Sequence, residues 1–136
     1  PAAGFVTTAG ALGVGLGASA ICWLAVTFLK TKFGYDDSLD AFGVHGVGGI
    51  WGALATGLWA TKGVNPAGAD GLFYGNAAQF LIQLKAVGVT LVYSFVVTFV
   101  LLKIVDALCG LRVDEHNERI GLDLSQHREA GYTLLE

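Results

Sequence analysis

The stretch AVGVTLVYSFVVTFVLL (Ala86–Leu102) decides the fold class, because it contains no charged residue between Lys85 and Lys103. A helix rises about 1.5 Å per residue, so a helix that includes this stretch crosses a hydrocarbon core of about 30 Å. We predict one long helix over residues 75–108. It is longer than a perpendicular crossing requires, so we expect it to tilt or to protrude from the bilayer.

Two further uncharged runs of suitable length lie at residues 9–29 and 41–61. The chain is 54% hydrophobic and 14% charged, whereas soluble domains have about 25% charged residues. We therefore predict an all-α integral membrane protein with three transmembrane helices, at about residues 9–29, 41–61 and 75–108. The small net charge of −3 and the lack of a basic stripe argue against a nucleic-acid partner.

The positive charges predict the orientation. Lysine and arginine are concentrated in the first connector and in the C-terminal part, while the second connector contains only Lys62. The positive-inside rule then places the first connector and the C-terminus in the cytoplasm, which agrees with an odd number of crossings. We divide the chain into a membrane domain, residues 1–109, and a cytoplasmic tail, residues 110–136.

His45 is the ionisable residue in the uncharged run 41–61. On a regular α-helix the positions that share its face are Gly48, Gly49 and Gly52. Small residues let helices approach closely in membranes, and Gly48 to Gly52 has the GxxxG spacing. We therefore predict that these glycines are packing positions and that His45 points into a tight protein interior.

The chemistry of His45 leaves two interpretations. An imidazole in apolar surroundings is expected to be uncharged, so it can hydrogen-bond a small polar solute in a narrow passage or relay a proton. The alternative is a core histidine that hydrogen-bonds a backbone carbonyl. A metal site is not expected, because the other histidines, His116 and His127, lie in the tail.

Acidic residues precede the second span in DDSLD (Asp36–Asp40). Asp37 at the helix start and Asp40 three residues later fit a capping-box pattern. The alternative function is a cytoplasmic vestibule that collects cations. In the tail, we predict that Asp114 caps a short helix through Arg119 and that Ser125 caps another helix from Gln126.

Three segments resemble the ammonium transporter family (Amt/Mep/Rh), and in particular its bacterial Amt branch. They are PAAGFV (Pro1–Val6), DDSLDAFGVHGVGGIWGALATGLWA (Asp36–Ala60) and GLRVDEHNERIGLDLSQHREAGY (Gly110–Tyr132). The resemblance implies that the spans are the last three of eleven helices in a homotrimer with one pore per subunit. His45 then matches the second of two pore histidines, and Asp37 and Asp40 match a cytoplasmic acidic motif.

The resemblance also implies that the tail takes part in regulation, through coupling between subunits and through a PII-type signal protein at the cytoplasmic face. The tail residues to which we assign this role are Arg112, Glu115, Arg119, Gly121, Asp123 and His127. No enzymatic activity, cofactor or metal is expected.

We therefore predict transport of ammonium or ammonia by a multi-pass protein of the inner or plasma membrane with a cytoplasmic C-terminus. Because the chain begins at Pro1 and has no methionine, we expect a fragment that supplies one pore histidine and the regulatory tail. One alternative is an ammonium-sensing membrane module of a signalling protein. Another is a respiratory subunit that binds haem or a quinone.

Overall fold

The computed structural model describes residues 1–130, which form helices and turns without a strand. The helices are α1 (Thr8–Phe33), α2 (a wide π-helical turn, Phe42–Val47, continued by Gly48–Trp59), α3 (Ala77–Cys109) and α4 (Glu115–Ile120). A short 3₁₀ turn, Leu72–Tyr74, precedes α3, and a second wide turn, Asp123–His127, follows α4. The chain forms two compact units, Pro1–Val92 and another that begins at Tyr93.

The all-helical prediction is confirmed, and each predicted span coincides with a helix. Within residues 1–130, two helices, α1 and α3, are long and apolar enough to cross a membrane. Helix α2 is shorter than either of them. The number of crossings therefore stays a prediction, as does the division into a membrane domain and a tail. Part of the predicted tail, residues 131–136, lies outside the described residues.

Helix α1 begins and ends with local signals that its sequence supplies. The Oγ1 atom of Thr7 accepts a hydrogen bond from the Gly10 backbone N–H at 3.2 Å, which caps the first turn. The helix widens into a π-helical turn at Ala25–Leu29 and ends at Gly34, whose φ of 60° is the left-handed conformation that glycine adopts at low cost.

The tryptophan side chains of α2 pack against glycines of α1. A Cβ built on Gly10 lies 3.3 Å from the Cβ of Trp59, and one built on Gly13 lies 3.3 Å from the Trp59 ring. At Gly17 a Cβ would overlap the ring of Trp51. Bare backbone on one helix thus faces the bulkiest side chains of the other, which lets the two helices approach closely.

The Trp51 ring is also fixed by a hydrogen bond. Its Nε1–H donates to the carbonyl oxygen of Val14 on α1 at 2.9 Å. An indole N–H in apolar surroundings needs such an acceptor, because leaving it unpaired costs free energy. The contact fixes the rotation of α2 relative to α1.

The buried residues of the chain are small. The hydrophobic residues that the structure buries are all alanines, and in residues 1–130 no large side chain is fully buried. The buried alanines are Ala2, Ala25, Ala55 and Ala60. Small residues at helix contacts are typical of membrane proteins, where lipid removes the usual drive to bury large apolar side chains.

The end of α2 is tied to the N-terminal segment and to the loop that follows. The Thr61 N–H donates to the Phe5 carbonyl at 2.9 Å, and the Gly71 N–H donates to the Ala60 carbonyl at 2.8 Å. Position 71 requires glycine, because a Cβ there would lie 2.7 Å from carbonyl oxygens of α2.

Helix α3 is apolar on all sides, and none of its residues is buried. Its N-terminal part approaches α2 at Gly57, where a built Cβ lies 3.1 Å from the Cα of Phe80 and 3.0 Å from the Cγ of Gln83. A helix that is apolar all round is typical of a membrane span or of the centre of a large protein.

We predict that Gly17→Ala destabilises the protein, because the new methyl group occupies the position of the Trp51 ring. Overpacking of this kind lowers the free energy of unfolding by about 1–3 kcal/mol. The matched control is Gly15→Ala, since a Cβ at Gly15 meets no described atom within 4 Å. Thermal unfolding of the full-length protein in detergent measures the difference, and equal midpoints for the two variants would contradict the packing.

Candidate functional site

His45 lies in the wide turn that opens α2, and its side chain is exposed on this chain. The buried residue of the turn is Gly43, where a built Cβ lies 2.7 Å from the side chain of Val26 on α1. The prediction assumed regular α-helical spacing, whereas a π-helical turn holds an extra residue and rotates the faces. As a result Gly43 faces α1 and His45 is exposed on this chain, while the interior position of His45 in the whole protein stays a prediction.

The three glycines predicted to pack beside His45 differ in their surroundings. A Cβ on Gly48 would lie 2.9 Å from the Sγ of Cys22, and one on Gly52 would overlap the ring of Pro1. Gly52 is buried, while Gly49 is exposed and a Cβ there meets no described atom within 4 Å. Gly48 and Gly52 thus form close contacts, and the structure does not show the packing predicted for Gly49.

Cys22 contributes a contact that the sequence did not reveal. Its Sγ lies 3.8 Å from the carbonyl oxygen of Val44, the residue before His45, in the geometry of a weak S–H donor. A cysteine in an apolar run gives no signal for this contact, because the pairing depends on how α1 and α2 pack.

Asp37 caps α2. Its Oδ1 accepts a hydrogen bond from the Ala41 N–H at 2.8 Å, and its Oδ2 accepts one from the Phe42 N–H at 2.9 Å. Both donors are among the first N–H groups of the helix, which have no partner within it. A carboxylate at this end is also favoured by the helix dipole.

Asp40 does not complete the predicted capping box. Its Oδ1 accepts a hydrogen bond from the Nζ of Lys30 at 2.6 Å. Its backbone has a φ of 55°, a left-handed conformation that costs most residues of order 1–3 kcal/mol and that aspartate tolerates better. The capping-box pattern fails because this conformation turns the Asp40 carboxylate towards α1.

Lys30 is the residue that the sequence interpretation missed. Its Nζ also donates to the Asp37 carbonyl at 2.7 Å, so one ammonium group joins the end of α1 to the start of α2. In the prediction of orientation, Lys30 counts only among the positive charges of the first connector. A signal was present, since a lysine that ends one helix and an aspartate that precedes the next are separated by a short turn containing Gly34.

The predicted helix in the tail is confirmed. Asp114 precedes α4, and its Oδ1 accepts a hydrogen bond from the Asn117 N–H at 3.0 Å. The cap predicted at Ser125 is wrong. Ser125 lies inside the wide turn Asp123–His127, and its Oγ donates a hydrogen bond to the Gly121 carbonyl at 2.8 Å.

Charged side chains of the tail pair with one another. The guanidinium of Arg112 contacts both carboxylate oxygens of Glu118, at 3.1 and 2.8 Å, and Arg119 pairs with Glu115. The hydrogen bonds and charge of Arg112 lower the pKa of Glu118 below its ordinary value. Their stabilisation is present above the ordinary pKa of glutamate and is lost as the pH falls through the lowered pKa.

The remaining predicted tail residues shape the turn after α4. Gly121 has a φ of 104°, and a Cβ there would lie 2.6 Å from the Oδ1 of Asp123. Asp123 and His127 are the first and last residues of the wide turn. These positions define a fixed local shape, and their regulatory role stays a prediction.

Within residues 1–130, no three histidine, cysteine, aspartate or glutamate side chains lie close enough to hold a metal ion. His45 is the candidate site residue in α2, and its imidazole carries two ring nitrogens that can take part in hydrogen bonds.

Comparison with known proteins gives a consistent result. The family model described as the Ammonium Transporter Family matches residues 1–132. The chain is 54% identical over 132 residues to an ammonium transporter of Bacillus subtilis, covering 97% of this chain and 33% of that protein. It is 50% identical over 133 residues to the ammonium transporter Amt1 of Archaeoglobus fulgidus, covering 98% and 33%.

A solved structure shares the fold. The crystal structure of Saccharomyces cerevisiae Mep2 superposes with a TM-score of 0.78 at 34% identity, covering 85% of this chain and 27% of that one. The chain thus spans about a third of the length of the curated relatives described above.

We predict that Asp37→Ala lowers the free energy of unfolding by about 1 kcal/mol, because two helix N–H groups lose their acceptor. Asp37→Asn retains one carbonyl oxygen and should lose less. Ser38→Ala, at the exposed next residue, is the matched control. Chemical denaturation of the full-length protein measures the order, and an Asp37→Ala variant as stable as Ser38→Ala would exclude the cap.

Proposed function

The chain belongs to the ammonium transporter family, and we propose on that basis that it forms part of a protein that carries ammonium or ammonia across a membrane. The observation that carries the proposal is the position of His45. The glycine side of α2 packs on α1 at Gly43 and Gly48, while the imidazole remains exposed on this chain. A side chain that lines a conduit must be accessible, so neither α1 nor α2 can cover it.

The proposed role of His45 is to hydrogen-bond ammonia in an apolar passage. A neutral imidazole offers one donor and one acceptor, so it can hold a small polar solute without the trapping that a fixed counter-charge would cause. A polar side chain at membrane depth is costly unless it faces protein or a water-filled cavity. Other segments of the same protein would supply the opposite wall, since the relatives are about three times as long as this chain.

We propose that the protein is a multi-pass protein of the inner or plasma membrane with its C-terminus in the cytoplasm. Lys30 and Lys32 lie in the last turn of α1, and Lys62 is the positively charged residue between α2 and the 3₁₀ turn. This distribution supports three crossings by the positive-inside rule.

Assembly and regulation are also proposed from the family. The protein forms a homotrimer, and the tail regulates transport through contacts between subunits and with a PII-type signal protein. The ion pairs of Arg112 and Arg119 and the fixed turn at Gly121 support a tail that presents a defined shape to such a partner. The sensing alternative is not favoured, because the relatives described above are named as transporters.

We predict that His45→Ala in the full-length protein reduces transport or changes its selectivity. Loss of a hydrogen bond to a desolvated polar solute costs about 1–3 kcal/mol, which is about tenfold or more in rate. Methylammonium uptake and ammonium-evoked current in proteoliposomes measure the effect. His116→Ala, at an exposed histidine of α4, is the control. Normal flux and selectivity in His45→Ala would remove His45 from the mechanism.

Deleting residues 111–136 from the full-length protein is expected to reduce or uncouple transport and to leave the trimer assembled. The reason is that the tail acts on neighbouring subunits and does not hold them together. Uptake assays report the first effect, and the molecular mass in detergent reports the second. A monomeric product would show that the tail is mainly structural.

A further inference from the structure

Two wide turns face each other where α1 meets α2. One is Ala25–Leu29 in α1, and the other is Phe42–Val47 in α2, which carries His45. They touch at Gly43, where a built Cβ lies 2.7 Å from the side chain and 3.5 Å from the backbone nitrogen of Val26. Each π-helical turn departs from the regular helix, and such turns occur frequently at functional sites.

Lys30 bridges this pair of turns at one end. It is the residue directly after the first turn, and its Nζ donates to the Oδ1 of Asp40 at 2.6 Å and to the carbonyl of Asp37 at 2.7 Å. Both acceptors precede the second turn. The two side chains of the ion pair are 31% and 36% exposed, so the pair is partly shielded from solvent.

The conformation of Asp40 makes the start of α2 depend on this contact. Its φ of 55° lies in the left-handed region, which aspartate tolerates better than most residues but which contacts with its surroundings help to maintain. The ion pair with Lys30 is one such contact, and the hydrogen bond from the Asp40 N–H to the Asp37 carbonyl at 3.2 Å is another. Helix α2 begins two residues later, at Phe42, and His45 follows five residues after Asp40, about 7.5 Å along a helix.

We infer that Lys30 is a positioning residue for His45. This inference rests on the proposed function, in which His45 lines the conduit. The ammonium group holds Asp40 in its left-handed conformation and holds the Asp37 carbonyl beside α1. The first residues of α2, including the wide turn, thereby keep a single position against α1. The imidazole of His45 then keeps a single orientation. Without Lys30, Asp40 relaxes, and the turn that carries His45 shifts.

The experiment compares variants of the full-length protein in proteoliposomes at equal amounts of assembled protein. Lys30→Gln removes the charge, and Lys30→Arg keeps it. Asp40→Asn removes the opposite charge and still tolerates the left-handed backbone. Lys32→Gln, at an exposed lysine in the same helix, is the matched control. Ammonium-evoked current and methylammonium uptake are both measured per transporter.

Lys30→Gln is expected to lower maximal transport by about tenfold, the scale on which a displaced functional group loses rate. The ratio of ammonium current to methylammonium uptake should shift in the same direction as in His45→Ala, a change that lower stability alone does not produce. Lys30→Arg should restore most of the transport. The Lys30→Gln/Asp40→Asn double variant should be no worse than the poorer single variant, because both changes break one contact.

Three results would overturn the inference alone. They are equal transport by Lys30→Gln and Lys32→Gln, a loss in Lys30→Gln with an unchanged substrate ratio, and additive losses in the double variant. If His45→Ala transports normally while Lys30→Gln does not, the link between Lys30 and His45 is wrong and transport itself still stands. If the wild-type protein carries no ammonium, the proposed function and this inference both fail.

Discussion

Close backbone contact between α1 and α2 is the constraint on which the first unit depends. Gly10, Gly13 and Gly17 form a bare strip on α1, and the rings of Trp51 and Trp59 lie against it. Packing of this kind gains van der Waals contacts over a large flat area, and in lipid such contacts replace hydrophobic burial as the source of helix association. The direction of α2, and with it the direction of His45, follows from that strip.

The wide turn Phe42–Val47 determines which residues of α2 pack on α1 and which stay exposed. In a regular α-helix, His45 and Gly48 would share a face, and the imidazole would be pressed towards the same neighbour as the glycine. The extra residue in Phe42–Val47 rotates Gly43 and Gly48 towards α1 and leaves His45 exposed. One inserted residue thus separates the surface that packs from the side chain that is available for chemistry.

The helices could be predicted from the sequence because uncharged runs and turn residues are local signals. The Asp114 cap was predictable for the same reason, since the carboxylate acts within its own segment. The wide turn could not be predicted, because it depends on the approach of Val26 to Gly43 from another helix. The partner of Asp40 was missed because a capping box is a pattern within one segment, whereas Lys30 lies across a turn.

Because the buried residues are small, many of the large apolar side chains are exposed, and so is His45. No residue of α3 is buried. Lipid covers such a surface without penalty, but it does not satisfy an imidazole at membrane depth. The exposed His45 therefore requires polar surroundings that this pair of helices does not provide. In the proposed function, a conduit formed with other segments of the protein would meet that requirement, because it would place a donor, an acceptor and a small polar solute in one confined space.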